Sequence, residues 1–406
     1  MLDTTLRVEK ITSYHWLLFV ICVLSNVFGG TVSTLMSVYL PIVAKDLLGE
    51  VDIDNLSFIS AYVNSVFILG WAIGGMAWGI LSDRIGRSRA MVLSIGSYGL
   101  FTILTGFTNS WELIMLCRFL SGFGVGGVLV VTPTILSEVW PEKSRGIFIG
   151  VLSIGFPIGI FSAGLIDYLV SNWHEAFFVG MIPLGLSVVG VFSLRESEKW
   201  VKTKNEEGVQ KPGIMFDKSH RNNLLVGSVT FGTMLIGLWG IFSWLPTWVQ
   251  TIIPPGGDGQ HERGLSMMVL GAGGLIGGFL SGWLSKGVGN RRAMMLCFAV
   301  CFAMSFLLFK VNSVFSNIIY IEIALLALFF GASQGVLSAY IPELFPSTIR
   351  ATATGFCFNI GRFVTATVVF FVGALVVILG GYGNAIFTFS LVFVIGLIAT
   401  FYSRKD

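Results

Sequence analysis

The stretch Gly79–Arg89, G-I-L-S-D-R-I-G-R-S-R, lies between two long apolar segments and returns in weaker form at Gly282–Arg292 as G-W-L-S-K-G-V-G-N-R-R. The copies are 203 residues apart, and both glycines, the leucine, the serine and the last arginine match. A second pair of motifs, Glu138–Arg145 (E-V-W-P-E-K-S-R) and Glu343–Arg350 (E-L-F-P-S-T-I-R), follows at an offset of 205 residues. Two motifs that recur in the same order at almost the same spacing predict two homologous halves.

The composition is typical of a membrane protein. Of 406 residues, 54% are hydrophobic and only 12% are charged, whereas roughly a quarter of the residues in soluble domains are charged. Apolar runs of about 20 residues recur along the chain, and each is long enough to cross a hydrocarbon core of about 30 Å. The net charge of +3 is too small to indicate nucleic acid as a partner. We therefore expect a lipid bilayer as the surroundings and no nucleic-acid partner.

The apolar runs predict an all-α membrane protein with twelve transmembrane helices. The first six cover about 14–40, 57–81, 90–108, 112–136, 146–170 and 175–194, and the second six cover about 223–250, 264–285, 292–311, 316–341, 350–378 and 384–402. Together with the duplication, these runs predict two pseudo-symmetric six-helix bundles, residues 1–194 and 223–406. Residues 195–222, which are largely polar, are expected to form a linker on the cytoplasmic side.

The loops differ strongly in positive charge. The loops and termini on the side of the N-terminus carry 20 Lys and Arg residues, and the loops on the other side carry three. Because positively charged loops stay in the cytoplasm, both termini are expected there. Short outer loops and short termini favour a bacterial inner membrane.

Two arginines, Arg118 and Arg362, lie within the predicted spans. A guanidinium at the centre of a membrane helix costs about 2.5–3.5 kcal/mol even on lenient scales, so it is expected to face a wet cavity or an anion. Asn359 precedes Arg362 by three residues and shares its helix face. The structural alternative is that each arginine caps backbone carbonyls or pairs with a carboxylate inside the bundle. For Arg118 the two interpretations are balanced, whereas for Arg362 we favour binding of a substrate anion.

Further polar and aromatic residues within the spans are candidates for the substrate path. Their hydrogen-bonding groups need partners in hydrocarbon, and a cavity or a neighbouring helix can supply them. These candidates are Trp239, Asn26, Asn64, Gln334 and Tyr62. Trp239 lies before Pro246, and the family resemblance described next implies a break in the helix there.

The loop motif at Gly79–Arg89, its degenerate copy and R-F-L-x-G-x-G-x-G-G at Arg118–Gly127 resemble the major facilitator superfamily over all twelve spans. The resemblance implies transport by alternating access and implies that Asp83 and Arg84 help to hold the halves together on the cytoplasmic side. The second copy has Lys286 and Gly287 at these positions, so its lock is expected to be weaker. The gating residues implied by the loop motifs are Gly79, Asp83, Arg84, Gly86, Arg87, Glu138, Arg145, Glu343 and Arg350.

Within the superfamily, Pro342–Arg362 and Trp239–Trp248 are similar to the metabolite:proton symporters, which include aromatic-acid, shikimate and sialic-acid porters. This resemblance implies a monomeric secondary transporter of a small organic anion, with a coupling proton and no other cofactor. Ser25–Gly30 lacks the acidic signature that these porters usually carry in the first span. The proton would then be carried by Glu322, Asp167, Glu112 or the substrate carboxylate itself, or coupling would be absent.

Three other functions remain open. One is a carrier of a neutral sugar or polyol, and another is a transporter-like receptor that binds without net transport. An enzyme is the weakest alternative, because the sequence contains no Ser/His/Asp set, metal cluster or phosphate-binding loop. We therefore expect neither a catalytic residue nor a metal site.

Overall fold

A computed structural model describes residues 11–49, 53–205, 218–254, 257–346 and 349–403, and the secondary structure of these residues is entirely helical. The first half consists of α1 (Ser13–Leu48), α2 (Ile53–Ile85), α3 (Arg87–Gly106), α4 (Trp111–Val139), α5 (Glu142–Leu169), α6 (Trp173–Ala176), a 3₁₀ turn (Phe177–Gly180) and α7 (Met181–Ser193). A short helix, α8 (Glu198–Asn205), follows. The second half consists of α9 (Lys218–Phe242), α10 (Leu245–Ile252), α11 (Gln260–Val288), α12 (Asn290–Phe306) with a π-turn (Leu307–Val311), α13 (Ile318–Glu343), α14 (Arg350–Phe370), α15 (Val372–Ile378), α16 (Tyr382–Ser390) and α17 (Val392–Phe401).

These helices form twelve passes, because α6–α7, α9–α10, α14–α15 and α16–α17 each continue one pass. Within the described ranges, eleven passes are long and apolar enough to cross a membrane. The twelfth, α3, has 20 residues, and its mean hydropathy is lowered by Arg87 and Arg89 at its start and by its serines, glycines and threonines. The prediction of an all-α, multi-pass membrane protein is confirmed. We call the end of the bundle that holds Ser13 and Phe401 the terminal side, and the opposite end the far side.

The close packing of helices is repeated in the two halves, as the sequence motifs are. Gly74 of α2 lies so close to α4 that a side chain there would meet the carbonyl oxygen of Phe123, and Gly277 of α11 has the same relation to Leu328 of α13. The same correspondence holds between Gly70 and Gly273, and between Gly126 and Gly331. At each of these glycines, an added side chain would meet a carbonyl oxygen of the neighbouring helix. Small residues allow membrane helices to approach this closely. The duplicated sequence therefore builds the same helix pair twice.

The pass formed by α9 and α10 is broken where the sequence predicts a break. Helix α9 ends at Phe242, and Pro246 occupies the first turn of α10. Proline has no N–H group and its ring clashes with the carbonyl four residues earlier, so a straight helix cannot continue through it. The break lies next to α2 of the first half, since Asn64 donates to the Ser243 carbonyl at 3.5 Å.

The two halves meet through α2 against α14 and α5 against α11. On the far side, a side chain at Gly164 of α5 would lie 2.5 Å from the Gly264 carbonyl oxygen of α11. The predicted span 264–285 begins four residues too late, because Gln260–Arg263 form the first turn of α11, and Arg263 is only 1% exposed. The division of the chain at 195–222 stays a prediction; α8 lies in this segment, and 206–217 fall outside the described residues.

Candidate functional site

Arg362 lies in the middle of α14, at the boundary between the halves. It follows the start of the helix by 12 residues, which corresponds to about 18 Å of helical rise. Its Nη1 donates to the Asn359 side-chain oxygen at 3.2 Å. The guanidinium carbon lies 5.9 Å from the ring centre of Trp71 in α2 and 5.9 Å from that of Phe231 in α9. The predicted pair Asn359–Arg362 therefore faces aromatic rings from both halves.

Among the described residues, Arg362 has no protein counter-ion. Within the described part of the chain, no carboxylate forms an ion pair with this guanidinium, and the side chain is only half-buried. Guanidinium groups bind carboxylates through two parallel N–H···O bonds, and aromatic faces stabilise a cation at this distance. The arrangement is suited to a small anion that carries a carboxylate.

An aromatic cluster stands beside the arginine. Trp71 and Trp239 meet edge to face with ring centres 5.1 Å apart, and Phe156 of α5 stacks on Trp71 at 5.9 Å. Trp239 is 2% exposed and packs between the halves in this conformation. Its role in the substrate path stays a prediction. The cluster offers flat apolar surface next to a positive charge.

Arg118 has different surroundings. It is buried in the first half, where Nη1 donates to the Val32 carbonyl at 2.9 Å and Nη2 donates to the Ser33 carbonyl at 3.4 Å. Its guanidinium lies 4.0 Å above the ring of Phe67. These contacts join α1, α2 and α4, and they correspond to the structural alternative stated for this residue.

The polar candidates in the spans mostly connect helices. Asn26 donates to the Cys22 carbonyl at 2.8 Å and to the Thr132 hydroxyl at 2.9 Å. Asn64 is also buried, and it bridges α2 and the α9–α10 break. Such bonds satisfy polar groups in the absence of water.

Tyr62 and Gln334 are half-buried. Tyr62 stacks on Phe370 of α14 with ring centres 4.8 Å apart, so it lies at the boundary between the halves. Gln334 lies in α13, where its amide nitrogen approaches the Ser333 hydroxyl at 3.4 Å. The described contacts do not join either residue to Arg362. The role of all these residues in substrate binding stays a prediction.

The gating motif of the first half forms a charge network on the terminal side. Arg87 bonds to Asp83 at 2.5 Å and to Glu138 at 3.0 Å, and so ties α2, α3 and α4 together. Arg84 is exposed, and Arg145 donates to the Trp140 carbonyl at 3.2 Å. These contacts all lie within the first half.

Two glycines of the motif differ in their surroundings. Gly86 has φ +107° and lies directly against the Glu196 carboxylate, so a side chain there would be strained and would collide. At Gly79 the nearest atom to an added side chain is Val130 Cγ1 at 3.8 Å, an ordinary contact.

Glu196 is a residue that the sequence analysis missed. Its carboxylate accepts from the Arg87 backbone N–H at 2.7 Å and from the Ser88 backbone N–H at 3.2 Å, so it caps the start of α3. A carboxylate is favourable there because the first N–H groups of a helix lack partners. The available signal was the pair of glutamates that follows α7, Glu196 and Glu198.

The second half repeats the Arg87–Glu138 contact without an arginine. At the matching positions Asn290 donates to Glu343 at 2.7 Å. The side chain of Arg350 lies outside the described part of the chain.

The three carboxylates considered as proton carriers all lie near the far side. Glu112 is exposed and bonds to the neighbouring Ser110 hydroxyl. Glu322 accepts from Asn312 at 2.7 Å. Asp167 pairs with Arg263, with 3.6 Å between Oδ1 and Nη2.

Comparison with known proteins gives one family match and several relatives. The family model described as Major Facilitator Superfamily matches residues 19–366. A cis,cis-muconate transport protein of Acinetobacter baylyi is 28% identical, with 76% of each chain covered. A probable 4-methylmuconolactone transporter of Cupriavidus pinatubonensis is 28% identical, with 81% of this chain and 78% of the relative covered. The crystal structure of a D-xylose-proton symporter superposes with a TM-score of 0.79 at 15% identity, covering 97% of this chain and 99% of that one.

Proposed function

The chain belongs to the Major Facilitator Superfamily, and we propose that it carries a small organic anion across the bacterial inner membrane by alternating access. The cargo is an unsaturated or aromatic carboxylate metabolite. The two halves rock around a site at the midplane. The protein works as a monomer, a state that light scattering of the detergent-solubilised protein tests.

The observation that carries this proposal is the unpaired charge of Arg362. A permanent cation at the midplane, without a carboxylate partner among the described residues, is stabilised when an anion arrives. The neighbouring rings of Trp71 and Phe231 favour a flat, conjugated cargo over a compact polar one. The relatives named for muconate and methylmuconolactone support the same class.

We also propose that the anion enters together with a proton. The carboxylates considered as carriers lie near the far side, so the substrate carboxylate is the group best placed to bring the proton to the midplane. A muconate gradient is then expected to acidify the interior of liposomes loaded with a pH-sensitive dye. Anion uptake without acidification would contradict coupling.

The terminal side faces the cytoplasm in this proposal. The support is the excess of Lys and Arg residues in the loops on that side. In intact cells, a protease added outside is expected to spare a tag at the C-terminus and to cleave it only after permeabilisation.

The decisive test is counterflow in proteoliposomes with cis,cis-muconate, gentisate and D-xylose as probes. Arg362→Gln is expected to weaken exchange of the two acids by about 10- to 100-fold, because a charge-assisted hydrogen bond contributes about 1.5–3 kcal/mol. Arg362→Lys, which keeps the charge but not the planar geometry, should retain part of the exchange activity.

Lys310→Gln is the matched control, since it removes a cation at the far end of the same half and should leave exchange unchanged. Acid exchange that survives Arg362→Gln would contradict the proposal. Exchange of D-xylose alone would favour a neutral cargo, and binding of the acids without exchange would favour a receptor.

A further inference from the structure

Asp167 of α5 and Arg263 of α11 form an ion pair that joins the two halves and is closed to solvent. Oδ1 and Nη2 are 3.6 Å apart, and the side chains are 0% and 2% exposed. Asp167 lies two residues before the end of α5, and Arg263 lies in the first turn of α11. Both residues therefore lie on the far side of the bundle, away from Arg362.

The pair depends on charge more than on hydrogen bonds. Both carboxylate oxygens of Asp167 and the Nε and Nη2 atoms of Arg263 are buried without a hydrogen-bond partner among the described residues. Arg263 Nη1 donates within the second half, to the side chain of Gln250 and to the Asp258 carbonyl. A buried ion is strongly unfavourable without its counter-ion. Each half therefore supplies the counter-ion for the charge that the other half buries.

The helices that carry the pair are in close contact. A side chain at Gly264 would lie 2.8 Å from the Gly164 carbonyl oxygen, so the backbones of α5 and α11 touch one turn from the ion pair. Gln260 of the second half donates to the Asp167 carbonyl at 2.6 Å and accepts from the Ser171 hydroxyl at 2.9 Å. The halves cannot separate on this side without parting Asp167 from Arg263.

We propose that Asp167 and Arg263 form an ionic latch that holds the far side closed and opens in each transport cycle. When the halves part, water reaches both charges, and hydration offsets the lost attraction, so the latch is reversible. A proton bound to Asp167 would stay on the far side of the closed interface, so the residue controls opening and does not carry a proton across. This inference rests on alternating access but not on the proposed cargo.

The test measures how often the far side opens in the absence of any cargo. Met267 of α11 is fully buried against Gly164 of α5. In a background whose five native cysteines, all buried, are replaced, Met267→Cys serves as a reporter for a membrane-impermeant maleimide. Asp167→Asn and Arg263→Gln are each expected to raise its labelling rate by about tenfold, as a shifted population of the open state predicts.

The reversed pair, Asp167→Arg with Arg263→Asp, should return labelling towards the parent rate. Arg263→Lys keeps the positive charge, so the Met267→Cys reporter should be labelled at about the parent rate in this variant. Glu112→Gln removes an exposed far-side carboxylate of the first half and should label at the parent rate. Unchanged labelling in both single variants, or labelling of the reversed pair as fast as in the single variants, would overturn the latch.

If Asp167→Asn does not purify as a folded protein, Arg263→Gln, with fast labelling expected, and the reversed pair, with labelling near the parent rate expected, decide the question. Because no cargo is present, a failure of the organic-anion proposal leaves this result unaffected.

Discussion

At the scale of single residues, Arg118 and Arg362 show how the same side chain takes two roles in a membrane. Arg118 is 1% exposed and donates to two carbonyls of α1, so its charge is spread over backbone dipoles. Arg362 is half-buried, and its described hydrogen bond goes to a neutral amide in its own helix. The first arrangement joins helices of the first half, whereas the second leaves the charge available to the anion that we propose as cargo.

This contrast predicts different binding defects. Arg118→Met keeps the volume of the side chain and should leave the Kd for cis,cis-muconate within about threefold of the parent, because the contacts of Arg118 lie within the first half. Arg362→Gln should raise the Kd by about tenfold or more, since each 1.4 kcal/mol of lost interaction is a factor of ten. Isothermal titration of the purified variants measures both values. Equal losses in the two variants would place Arg118 in the binding site.

The sequence predicted Arg362 and Asn359 together because residues three apart share a helix face. It did not predict Trp71 or Phe231, which come from α2 and α9 and meet the arginine only after the halves pack. Aromatic residues are common in a chain with 35 phenylalanines and 11 tryptophans. Because there are so many, the sequence alone does not show which of them lie next to a charge.

At the scale of helices, the sequence predicted most of the element positions. Hydropathy marks where a helix leaves the membrane, and Pro246 marks the break between α9 and α10. The pairing of Asp167 with Arg263 was missed because the two residues lie 96 positions apart, each near a helix end that looks solvated. A buried ion pair of this kind depends on the contact between the two halves. That contact cannot be predicted from a local sequence pattern.

The glycine contacts predict a stability effect that repeats in the two halves. Gly126→Ala would place a methyl group against the Trp71 backbone, and Gly331→Ala would place one against Gly274. Both variants should therefore lower the free energy of unfolding, by about 1–3 kcal/mol as in other overpacked cores. Thermal unfolding of the detergent-solubilised protein measures the change.

Gly185→Ala in α7 is the control, because no neighbouring atom of the described residues lies within 4 Å of the added side chain. That change should be neutral or should stabilise by up to about 1 kcal/mol, since alanine is the better helix former. A loss at Gly185 as large as that at Gly126 would show that helix flexibility, and not close packing, explains the glycines.

At the scale of the whole molecule, the duplication is conserved in packing but not in charge. The α2–α4 contact and the α11–α13 contact match glycine for glycine. The arginine that bridges Asp83 and Glu138 is replaced in the second half by Asn290, whose described side-chain hydrogen bond goes to Glu343. The two halves therefore share one packing scaffold, which allows each half to move as a rigid body, and they differ in their charge networks on the terminal side.

Rocking of rigid halves predicts that a covalent bond between them on the far side stops transport. Ser171 and Gln260 are hydrogen-bonded across the two halves on that side, so the double variant Ser171→Cys/Gln260→Cys should be cross-linked by oxidation or by a short, reducible bis-thiol reagent. Uptake of cis,cis-muconate should then fall to background and return after reduction. Asn312→Cys/Glu322→Cys is the matched control, because these residues are bonded on the far side within the second half, and its oxidation should leave uptake intact. Transport that continues with the first pair fully cross-linked would mean that the far side does not open by separation of α5 from α11, and the cargo would have to pass by another movement.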